Sequence, residues 1–368
     1  MHVVRLFIME QNEIDVKYMR RALQLAASVN HAVAPNPMVG AVIVCDDTIV
    51  GEGFHACYGG PHAEVNAIAS VKDLSVLTRS TLYVTLEPCS HYGKTPPCVD
   101  LVLEKKIPRV VIGSRDPNPR VAGRGIQKLR KAGVDVKVDV LKEECEELNR
   151  RFFWFHTACR PYVILKWAQT ADGYIDRKRE NNTRPALKIS TDETLQLVHK
   201  LRSEVDAIMV GTRTALLDNP SLTNRYWAGK SPLRIAIDRN GVIPEEAHLK
   251  DGTVPTLILT EQPKTDKENL TYLKVNFSRN ILDDLFNYMA ERNIQSLLVE
   301  GGTQLLQSFI DADYWNEAVV ETDTSLRIGE GVKAPSWILP KTMAGCRCVD
   351  NHLFTYYRNN VRVNRDEE

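Results

Sequence analysis

The feature that most constrains this chain is a set of three short segments, each with a metal-binding side chain just after a proline. They are Pro61-His62-Ala63-Glu64, Glu87-Pro88-Cys89 and Pro96-Pro97-Cys98. Proline is favoured at the first position of a helix, where free amides and the helix dipole stabilise a thiolate. We therefore expect His62, Cys89 and Cys98 to lie at or near helix starts and to hold one cation.

Three protein ligands suit a catalytic zinc ion. The fourth tetrahedral position then stays open to a water molecule, whose pKa falls to roughly 7 when it is bound. Residues two apart share no face inside a helix, so His62 and Glu64 converge only if His62 lies at the first turn, as Pro61 suggests. A carboxylate held off the metal there can take a proton from the water and pass it to a ring nitrogen.

Zinc deaminases carry a related signature, a His-x-Glu segment followed by Pro-Cys-x-x-Cys. Here eight residues, Ser90 to Pro97, separate the cysteines, where the signature has two. Each of these residues, considered alone, would more commonly have a structural role. His62 would be a helix-cap residue, each cysteine a buried thiol and Glu64 a solvated side chain. Jointly they indicate a metal site. A closed structural zinc would need a fourth protein ligand, for which His91 and Cys57 are the nearby candidates.

Composition narrows the class of protein. The 368 residues suggest two domains, and 47 basic side chains balance 47 acidic ones, which disfavours a nucleic-acid partner. The apolar run Val3–Met9 is too short to span a membrane and no signal-peptide cleavage site follows it, so we expect a cytoplasmic protein without a membrane partner. In that setting, eight cysteines indicate free thiols or metal ligands, not disulfides.

Alternating apolar strands and amphipathic helices predict an α/β layer fold. In the first half we expect helices over 15–31 (capped by Asp15), 62–70, 98–105 and 125–131, a hairpin of strands 41–45 and 48–54, and strands 81–86, 109–113 and 134–140. A helix over 142–156 and the break at Thr157–Pro161 place a domain boundary near 148–160. Beyond it we expect strands at 162–168, 206–210, 233–238, 255–260 and 296–300, and helices at 191–203 and 280–291.

Two longer segments point to one family. Pro35-Asn-Pro-Met-Val-Gly40 and Pro88-Cys-Ser-His-Tyr-Gly-Lys-Thr-Pro-Pro-Cys98 closely resemble the bacterial bifunctional deaminase-reductase of riboflavin biosynthesis. The resemblance runs through nearly the whole chain. It implies a cytidine-deaminase-like three-layer α/β/α domain over residues 11–148 and a dihydrofolate-reductase-like α/β domain over residues 160–368.

The resemblance also assigns roles in the first domain. It implies hydrolytic deamination of 2,5-diamino-6-(5-phosphoribosylamino)pyrimidin-4(3H)-one at a Zn2+ site, with Glu64 as the catalytic proton carrier. The implied zinc ligands are His62, Cys89 and Cys98. The implied substrate contacts are Asn36, His55, Lys94 and Asn118. Asn36 stands between two prolines that stiffen the backbone, and it would present its amide to the ring.

Segments of the second half match the same family and imply an NADPH-dependent reduction of the ribose to a ribityl chain. They are residues 166–173, the block from Leu201 to Arg225, and Glu300-Gly301-Gly302-Thr303, whose glycines let backbone amides approach a phosphate. The implied substrate contacts are Lys166, Ala186, Arg202, Leu222, Arg225 and Glu300. The implied cofactor contacts are Ala168, Lys188, Thr214, Asp218, Gly302 and Thr303.

One departure from the family pattern concerns the reductase. The family usually has serine before its Asp-Gly pair, whereas Ala171 precedes Asp172 here and Thr170 is the nearest hydroxyl. The altered Gln169-Thr170-Ala171 segment therefore leaves a further interpretation open, in which the chain deaminates its substrate but does not reduce the product. We assign no function to Cys346 and Cys348, because two cysteines at strand spacing without a partner pair are commonly inert.

Other interpretations stay open on the sequence alone. The chain can be a deaminase of another pyrimidine or of a tRNA base with a non-reducing second domain, although the eight-residue insertion and balanced charge argue against this. It can also be a zinc-stabilised binding protein without turnover. We expect a homo-oligomer, a dimer or a tetramer, because symmetric homo-oligomers are common among soluble proteins.

Overall fold

The computed structural model describes residues 2–29, 31–92, 96–119, 121–337 and 341–359. It divides the chain into two compact units, Met1–Thr157 and Ala158–Glu368, each with its own main β-sheet. Within the described ranges, every helix is too short or too polar to cross a bilayer.

The first unit is built on a five-stranded sheet. Its strands are β1 (Gly40–Cys45), β2 (Thr48–Phe54), β3 (Thr81–Leu86), β4 (Arg109–Ser114) and β5 (Asp135–Lys137), in the order β2-β1-β3-β4-β5. β1 pairs antiparallel with β2 and β3, whereas β3, β4 and β5 run parallel. The predicted hairpin is confirmed. Asp46 and Asp47 both have positive φ, as a tight two-residue turn between twisted strands requires.

Helices cover both faces of this sheet. They are α1 (His2–Ala27), α2 (Ala63–Ala69), α3 (Cys98–Glu104), α4 (Arg124–Lys131) and α5 (Lys142–Leu148). The next helix, α6 (Arg150–Ala158), spans the division of the chain at Thr157. Side chains alternate between the faces of a strand, so Ala41 and Ile43 pack with α2 while Val42 and Val44 pack with α1. The expected three-layer α/β/α arrangement is therefore confirmed.

Two expected helices and one expected strand have different limits. Of the strand expected over 134–140, only Asp135–Lys137 forms β5. α1 begins at His2, not at Asp15, and ends at Ala27, so Asp15 lies in mid-helix and is not a cap. Its fully buried carboxylate accepts hydrogen bonds from Arg109 (2.9 Å) and Lys137 (2.7 Å), which compensate its loss of water. The helix expected over 142–156 is interrupted at Asn149, whose side chain bonds to both backbone polar groups of Met38.

The second unit is richer in strands. They are β6 (Tyr162–Thr170), β7 (Tyr174–Asp176), β8 (Ala207–Val210), β9 (Leu233–Ile237), β10 (Thr256–Thr260), β11 (Leu270–Lys274), β12 (Ser296–Val299), β13 (Glu317–Asp323), β14 (Val332–Lys333), β15 (Lys341–Val349) and β16 (His352–Asn359). Nine of them form one sheet in the order β11-β10-β9-β8-β12-β6-β13-β16-β15, and β7 pairs with β14. The first seven strands in that order are parallel, and β16 and β15 follow antiparallel.

In the described part of this unit, four α-helices accompany the sheet: α7 (Asp192–Ser203), α8 (Thr212–Asp218), α9 (Ile281–Glu291) and α10 (Thr303–Asp311). The core joins Leu165 and Val299 of the sheet to Leu285 of α9 and Phe309 of α10. The predicted elements of this half are all present, with ends shifted by no more than two residues. The sequence patterns did not predict β7, α8, β11 or the strands from β13 onward.

The topology gathers polar residues at one edge of the large sheet. From β6 the chain moves outward through β8, β9, β10 and β11, and then returns to insert β12 between β8 and β6. In a parallel sheet such a reversal of strand order opens a crevice at the carboxyl ends of the strands. The segments that follow β8 and β12 therefore meet beside the end of β6.

Candidate active sites

Three side chains that the sequence singled out converge in the first unit. Nδ1 of His62 lies 3.6 Å from Sγ of Cys89 and 3.3 Å from Sγ of Cys98, and the three donor atoms all lie within 4.8 Å of one another. Zinc bonds of about 2.0 Å to nitrogen and about 2.3 Å to sulfur, at tetrahedral angles, separate two such donors by about 3.6 Å. The three donors therefore fit one tetrahedral zinc ion.

The ends of three elements carry these donors. His62 immediately precedes α2 with an extended backbone, which places Glu64 in the first helical turn, and Cys98 opens α3. Cys89 does not begin a helix as expected, because it lies in the coil after β3. Its sulfur still faces a helix start: the backbone N–H of Cys98 donates to Sγ of Cys89 over 3.3 Å, and such a contact favours a thiolate.

Cys89 and Glu64 have shifted acidities. Hydrogen bonds with Cys98 and His62 lower the pKa of the Cys89 thiol, against the effect of burial. Burial raises the pKa of the Glu64 carboxyl to about 7, and the neighbouring Cys89 adds to this rise. Glu64 is not among the clustered donors. A carboxyl group with such a pKa can both accept and return a proton near neutral pH.

No fourth metal-binding side chain completes the triad among the residues that the structure describes. His91 and Cys57, the nearby candidates, are exposed and lie outside the cluster. Three protein donors leave one tetrahedral position open, which distinguishes a catalytic zinc site from a closed structural one.

Asn36 and His55 form a polar pair in the same unit. Nδ1 of His55 lies 2.9 Å from the carbonyl oxygen of Pro61, so this nitrogen carries the proton and donates. Nε2 then accepts from Nδ2 of Asn36 over 3.1 Å, which turns the amide oxygen of Asn36 away from His55. Burial lowers the pKa of His55 and keeps the ring neutral. The ring meets that of His62 edge to face, with centroids 5.5 Å apart.

Lys94 and Asn118 are the other two expected substrate contacts. Lys94 lies outside the described residues. Asn118 is half-buried in the turn before α4, where its backbone N–H donates to Oδ1 of Asp116 over 2.8 Å and its carbonyl oxygen accepts from Val121 and Ala122.

Glu87 is a residue that sequence reasoning missed. Its buried carboxylate accepts hydrogen bonds from the backbone of Gly123 (2.9 Å), Gly125 (2.9 Å) and Ile126 (3.2 Å). These bonds anchor the start of α4 to the strand end that carries Cys89. A Cβ atom on Gly125 would lie 2.3 Å from the carbonyl oxygen of Pro88, so the close approach requires glycine. The available signal was an acidic residue at the end of a buried strand.

In the second unit, Arg202 and Glu300 form a buried ion pair. Nε and Nη2 of Arg202 donate to the two carboxylate oxygens of Glu300 over 3.1 and 2.6 Å, and Nη1 donates to the carbonyl oxygen of Thr223 over 3.2 Å. Burial opposes the charge of Glu300, yet Arg202 and, more weakly, Lys166 lower its pKa. The structure thus brings these expected substrate residues together, while most of the Arg202 fork is already engaged inside the protein.

Leu222 and Arg225 lie on the segment between α8 and β9. Leu222 is buried with a φ of 51°, whereas the side chain of Arg225 is exposed. The backbone N–H of Arg225 donates to Nδ1 of His199 over 2.9 Å. Burial, together with the charges of Arg202 and Arg225, lowers the pKa of His199 to about 4, so the ring is a neutral acceptor. The backbone of Arg225 therefore anchors the segment between α8 and β9 to His199, while the guanidinium of Arg225 faces solvent.

Four expected cofactor residues lie at the ends of α8 and α10. The N–H of Gly302 donates to Oγ1 of Thr214 over 3.1 Å, and Thr303, the first residue of α10, donates its hydroxyl to the carbonyl oxygen of Lys333. Asp218 ends α8 and accepts from Nη2 of Arg179 over 2.5 Å. The side chain of Arg179 is 3% exposed and also pairs with Asp176, a connection that sequence reasoning missed.

The other expected residues lie along β6 and the segment before α7. Ala168 is half-buried on β6, and Ala186 and Lys188 are exposed. Lys188 lines a cleft of about 400 Å³ together with Ser190, Asp323 and His352.

The hydroxyl of Thr170 is committed to a turn. Thr170 is fully buried, and its Oγ1 donates to Asp172 over 2.5 Å and accepts from the backbone N–H of Tyr174 over 3.0 Å. Asp172 in turn accepts from the backbone of Ile328 and Gly329. The Thr170 hydroxyl therefore supports the backbone of the turn around Ala171 and Asp172.

Comparisons with known proteins match both units. Residues 12–114 match the cytidine and deoxycytidylate deaminase zinc-binding region, and residues 161–324 match the RibD C-terminal domain. The riboflavin biosynthesis protein RibD of Aquifex aeolicus is 40% identical over 325 residues, which cover 87% of this chain and 89% of that protein. The protein of the same name from Actinobacillus pleuropneumoniae is 40% identical over 331 residues, 87% of this chain and 86% of that protein.

Solved structures extend the similarity to the fold. A Thermotoga maritima diaminohydroxyphosphoribosylaminopyrimidine deaminase/5-amino-6-(5-phosphoribosylamino)uracil reductase is 36% identical with a TM-score of 0.84, over 95% of this chain and 99% of that one. RibD of Acinetobacter baumannii is 28% identical with a TM-score of 0.84, over 94% and 99% of the two chains. The expected pairing of a deaminase domain with a reductase domain is confirmed, and the chain belongs to the RibD family of bifunctional riboflavin biosynthesis enzymes.

Proposed function

We propose that this chain catalyses two consecutive reactions on a phosphoribosyl pyrimidine. The domain of residues 11–148 deaminates 2,5-diamino-6-(5-phosphoribosylamino)pyrimidin-4(3H)-one by hydrolysis, and the domain of residues 160–368 reduces the ribose of the product to a ribityl chain with NADPH. The observation that carries the proposal is the open triad of His62, Cys89 and Cys98 with Glu64 beside it, in a chain that matches RibD proteins over both units.

The first reaction replaces the exocyclic amino group of the ring by oxygen and releases ammonia. His62, Cys89 and Cys98 hold zinc, which when bound supplies an acidified water molecule. Glu64 accepts one proton from that water and delivers it to the ring nitrogen; it then takes the second proton from the same oxygen, now bound to the ring carbon, and gives it to the amine, which leaves as ammonia when the ring carbonyl forms. Burial, which raises the pKa of Glu64 to about 7, suits both directions of transfer.

The remaining residues of the first site bind the substrate. His55 fixes the orientation of Asn36, which presents its amide to the ring. Asn118 and Lys94 bind the ring or the phosphate. The turn that contains Asn118 is held by Asp116, and the bonds of Glu87 hold the start of the helix that follows it.

The second site fits a dinucleotide at the helix starts. Glycines surround the start of α10, where a Cβ atom on Gly301 would lie 2.9 Å from Leu305 and 3.4 Å from the backbone nitrogen of Gly211. Backbone amides that can be approached closely at a helix start suit phosphate groups. The proposed cofactor contacts are Ala168, Lys188, Thr214, Asp218, Gly302 and Thr303.

NADPH, when bound, supplies the hydride for the second reaction. The exposed guanidinium of Arg225 binds the substrate phosphate, since its fork of donors matches two phosphate oxygens. Arg202 holds Glu300 beside the ribose, where Lys166 supplies a positive charge. Ala186 and Leu222 complete the proposed substrate contacts.

We further propose a cytoplasmic enzyme that forms homodimers or homotetramers and binds no nucleic acid. The balance of 47 basic and 47 acidic side chains supports the last point. A tRNA or nucleoside deaminase with a non-reducing second domain is disfavoured, because the similarity to RibD proteins extends over both units.

The variant Glu64→Gln tests the first reaction. The amide keeps the shape of the side chain but cannot accept the proton, so ammonia release from the diamino pyrimidine should fall by at least about 100-fold. Zinc content, measured by atomic absorption, should stay at the wild-type level because Glu64 is not among the clustered donors. Glu104→Gln, at the end of α3, is the matched control and should behave as wild type. Wild-type turnover by Glu64→Gln would remove Glu64 from the mechanism.

A further inference from the structure

Lys166 lies beside two acidic residues in the large sheet. It belongs to β6, whose neighbours are β12 on one side and β13 on the other. Glu300 directly follows β12, one residue beyond the pair Val299 and Leu165, so it lies level with Lys166. Glu321 lies on β13, in register with the position two residues after Lys166. The register therefore brings a carboxylate to each side of this lysine.

Glu321 is fully buried, and three polar groups surround its carboxylate. Oε2 accepts from the Ser190 hydroxyl over 2.7 Å and lies 3.5 Å from Nζ of Lys166. Oε1 lies 3.2 Å from Nδ1 of His352, and neither of these two atoms has a hydrogen-bond partner of good geometry among the described residues. A carboxylate removed from water is costly unless positive or donor groups compensate it, and Lys166 supplies the nearest full charge.

The cluster of Lys166, Ser190, Glu321 and His352 is not needed to hold β6 and β13 together. Backbone pairing already fixes the register of β6 and β13 over seven residue pairs. An apolar side chain at position 321 would satisfy the core at less cost than a buried charge. Ser190 and His352 also line the cleft of about 400 Å³ that Lys188 borders. The cluster therefore connects a solvent-accessible cleft to a lysine at the edge of the proposed reductase site.

We propose that Glu321 is a positioning residue that holds the ammonium group of Lys166 in place. Ser190 ties the segment before α7 to the same carboxylate oxygen, so that this segment and Lys166 share one anchor. The role in reduction rests on the proposed reductase function of the second unit. Lys166 would face the substrate, and Glu321 would act only through Lys166.

The variant Glu321→Gln tests this inference, because the amide keeps the shape and loses the charge. With deaminated substrate and NADPH, kcat should fall about tenfold, the cost of losing one charge-assisted contact. KM for NADPH and ammonia release by the first unit should stay unchanged. Glu321→Asp, which keeps the charge, should recover part of the loss. Glu317→Gln, on the same strand and paired with Arg358, is the matched control and should match wild type.

A second measurement does not depend on turnover. Acetic anhydride modifies lysine side chains that it can reach, so Lys166, once released from Glu321, should be acetylated faster in Glu321→Gln than in wild type. Mass spectrometry of the digested protein reads the modification, with Lys274, an exposed lysine on β11, as the internal reference. A purely structural role of Glu321 would lower the melting temperature and leave both kcat and the Lys166-to-Lys274 labelling ratio unchanged, and that result would overturn the inference.

Failure of the inference and failure of the proposed function give different results. If the wild-type chain does not oxidise NADPH, the reductase assignment fails, and the labelling ratio still decides whether Glu321 holds Lys166. If Glu321→Gln does not fold, Ser190→Ala removes one donor from the same oxygen and is measured in the same two assays. A lower kcat together with an altered labelling ratio supports the inference, and wild-type values for both contradict it.

Discussion

His55 controls the direction in which Asn36 presents its amide. Its donor nitrogen is bound to the Pro61 carbonyl oxygen, so the other ring nitrogen accepts from Asn36. His55→Leu should release the amide and lower kcat/KM for deamination about tenfold, the value of one neutral hydrogen bond. Zinc content should not change, since His55 is not one of the clustered donors. Ammonia release and metal analysis on one preparation check both expectations.

The NADPH-dependent activity of the same His55→Leu preparation serves as its control, because His55 lies in the first unit. A preparation that loses zinc along with deamination would show that His55 supports the metal site through His62, whose ring it contacts. The proposed orienting role towards Asn36 would then be wrong.

The donor residues could be predicted from the sequence, whereas the residues that support them could not. Histidine and cysteine are uncommon side chains with a distinctive chemistry, so three of them after prolines are informative before any fold is known. Glu87 and Arg179 are ordinary charged residues that are usually solvated. Their roles become visible only when the fold brings in partners such as Gly125 and Asp218, which lie 38 and 39 positions further along the chain.

At the scale of elements, the start of α4 is packed directly against the segment that carries Cys89. Gly125→Ala would put a methyl group 2.3 Å from the carbonyl oxygen of Pro88, and this atom is backbone that cannot rotate away. We expect a loss of about 2 kcal/mol in the free energy of unfolding, as for other overpacked sites, and a lower zinc content. Denaturant unfolding and metal analysis measure the two effects.

Gly345→Ala is the matched control for Gly125→Ala, because nothing lies within 4 Å of a Cβ atom built there. It should unfold like the wild type and keep its zinc. If Gly125→Ala also behaved as wild type, the contact between α4 and Pro88 would be looser than the structure indicates.

The segment between α8 and β9 should respond to acid. The pKa of His199 is about 4 in the folded chain against 6.5 for an ordinary histidine, mainly because the ring is buried. Between these values the unfolded chain binds more protons, so the free energy of unfolding should fall as the pH drops from 7 to 5, by up to about 2 kcal/mol. His199→Asn, whose amide oxygen can still accept from Arg225, should lose less stability over this range. Equal pH dependence in denaturant unfolding of the two chains would contradict the assignment.

Element boundaries show where local patterns stop being informative. The helical periodicity predicted a helix over residues 15–31, whereas α1 spans His2–Ala27. Asp15 looked like a cap because its buried partners, Arg109 and Lys137, lie far along the chain. β15 is mostly exposed, so its side chains lack the alternation that identifies a half-buried strand. In contrast, the limits of β3 were predicted to the residue because turn signals bound a continuous apolar run.

For the whole molecule, each proposed reaction uses residues from a single unit. The zinc donors and Glu64 lie before Thr157, whereas Lys166, Arg202 and Glu300 lie after it. The arrangement of the zinc site follows from the chemistry of its donors. The choice of NADPH does not follow from residue chemistry in this way, because the glycines before α10 fit many phosphate ligands. That part of the expectation came from the resemblance to the family.

Removal of the metal should therefore separate the two activities. A strong chelator such as 1,10-phenanthroline should abolish ammonia release, because the triad is the one cluster of metal donors in the described part of the chain. NADPH oxidation with substrate deaminated beforehand should continue at the untreated rate, since Lys166, Arg202 and Glu300 bind no metal in the proposed mechanism. Added zinc should restore ammonia release, and a chelator already saturated with zinc should have no effect. Loss of both activities on chelation would show instead that the second unit depends on the metal-loaded state of the first.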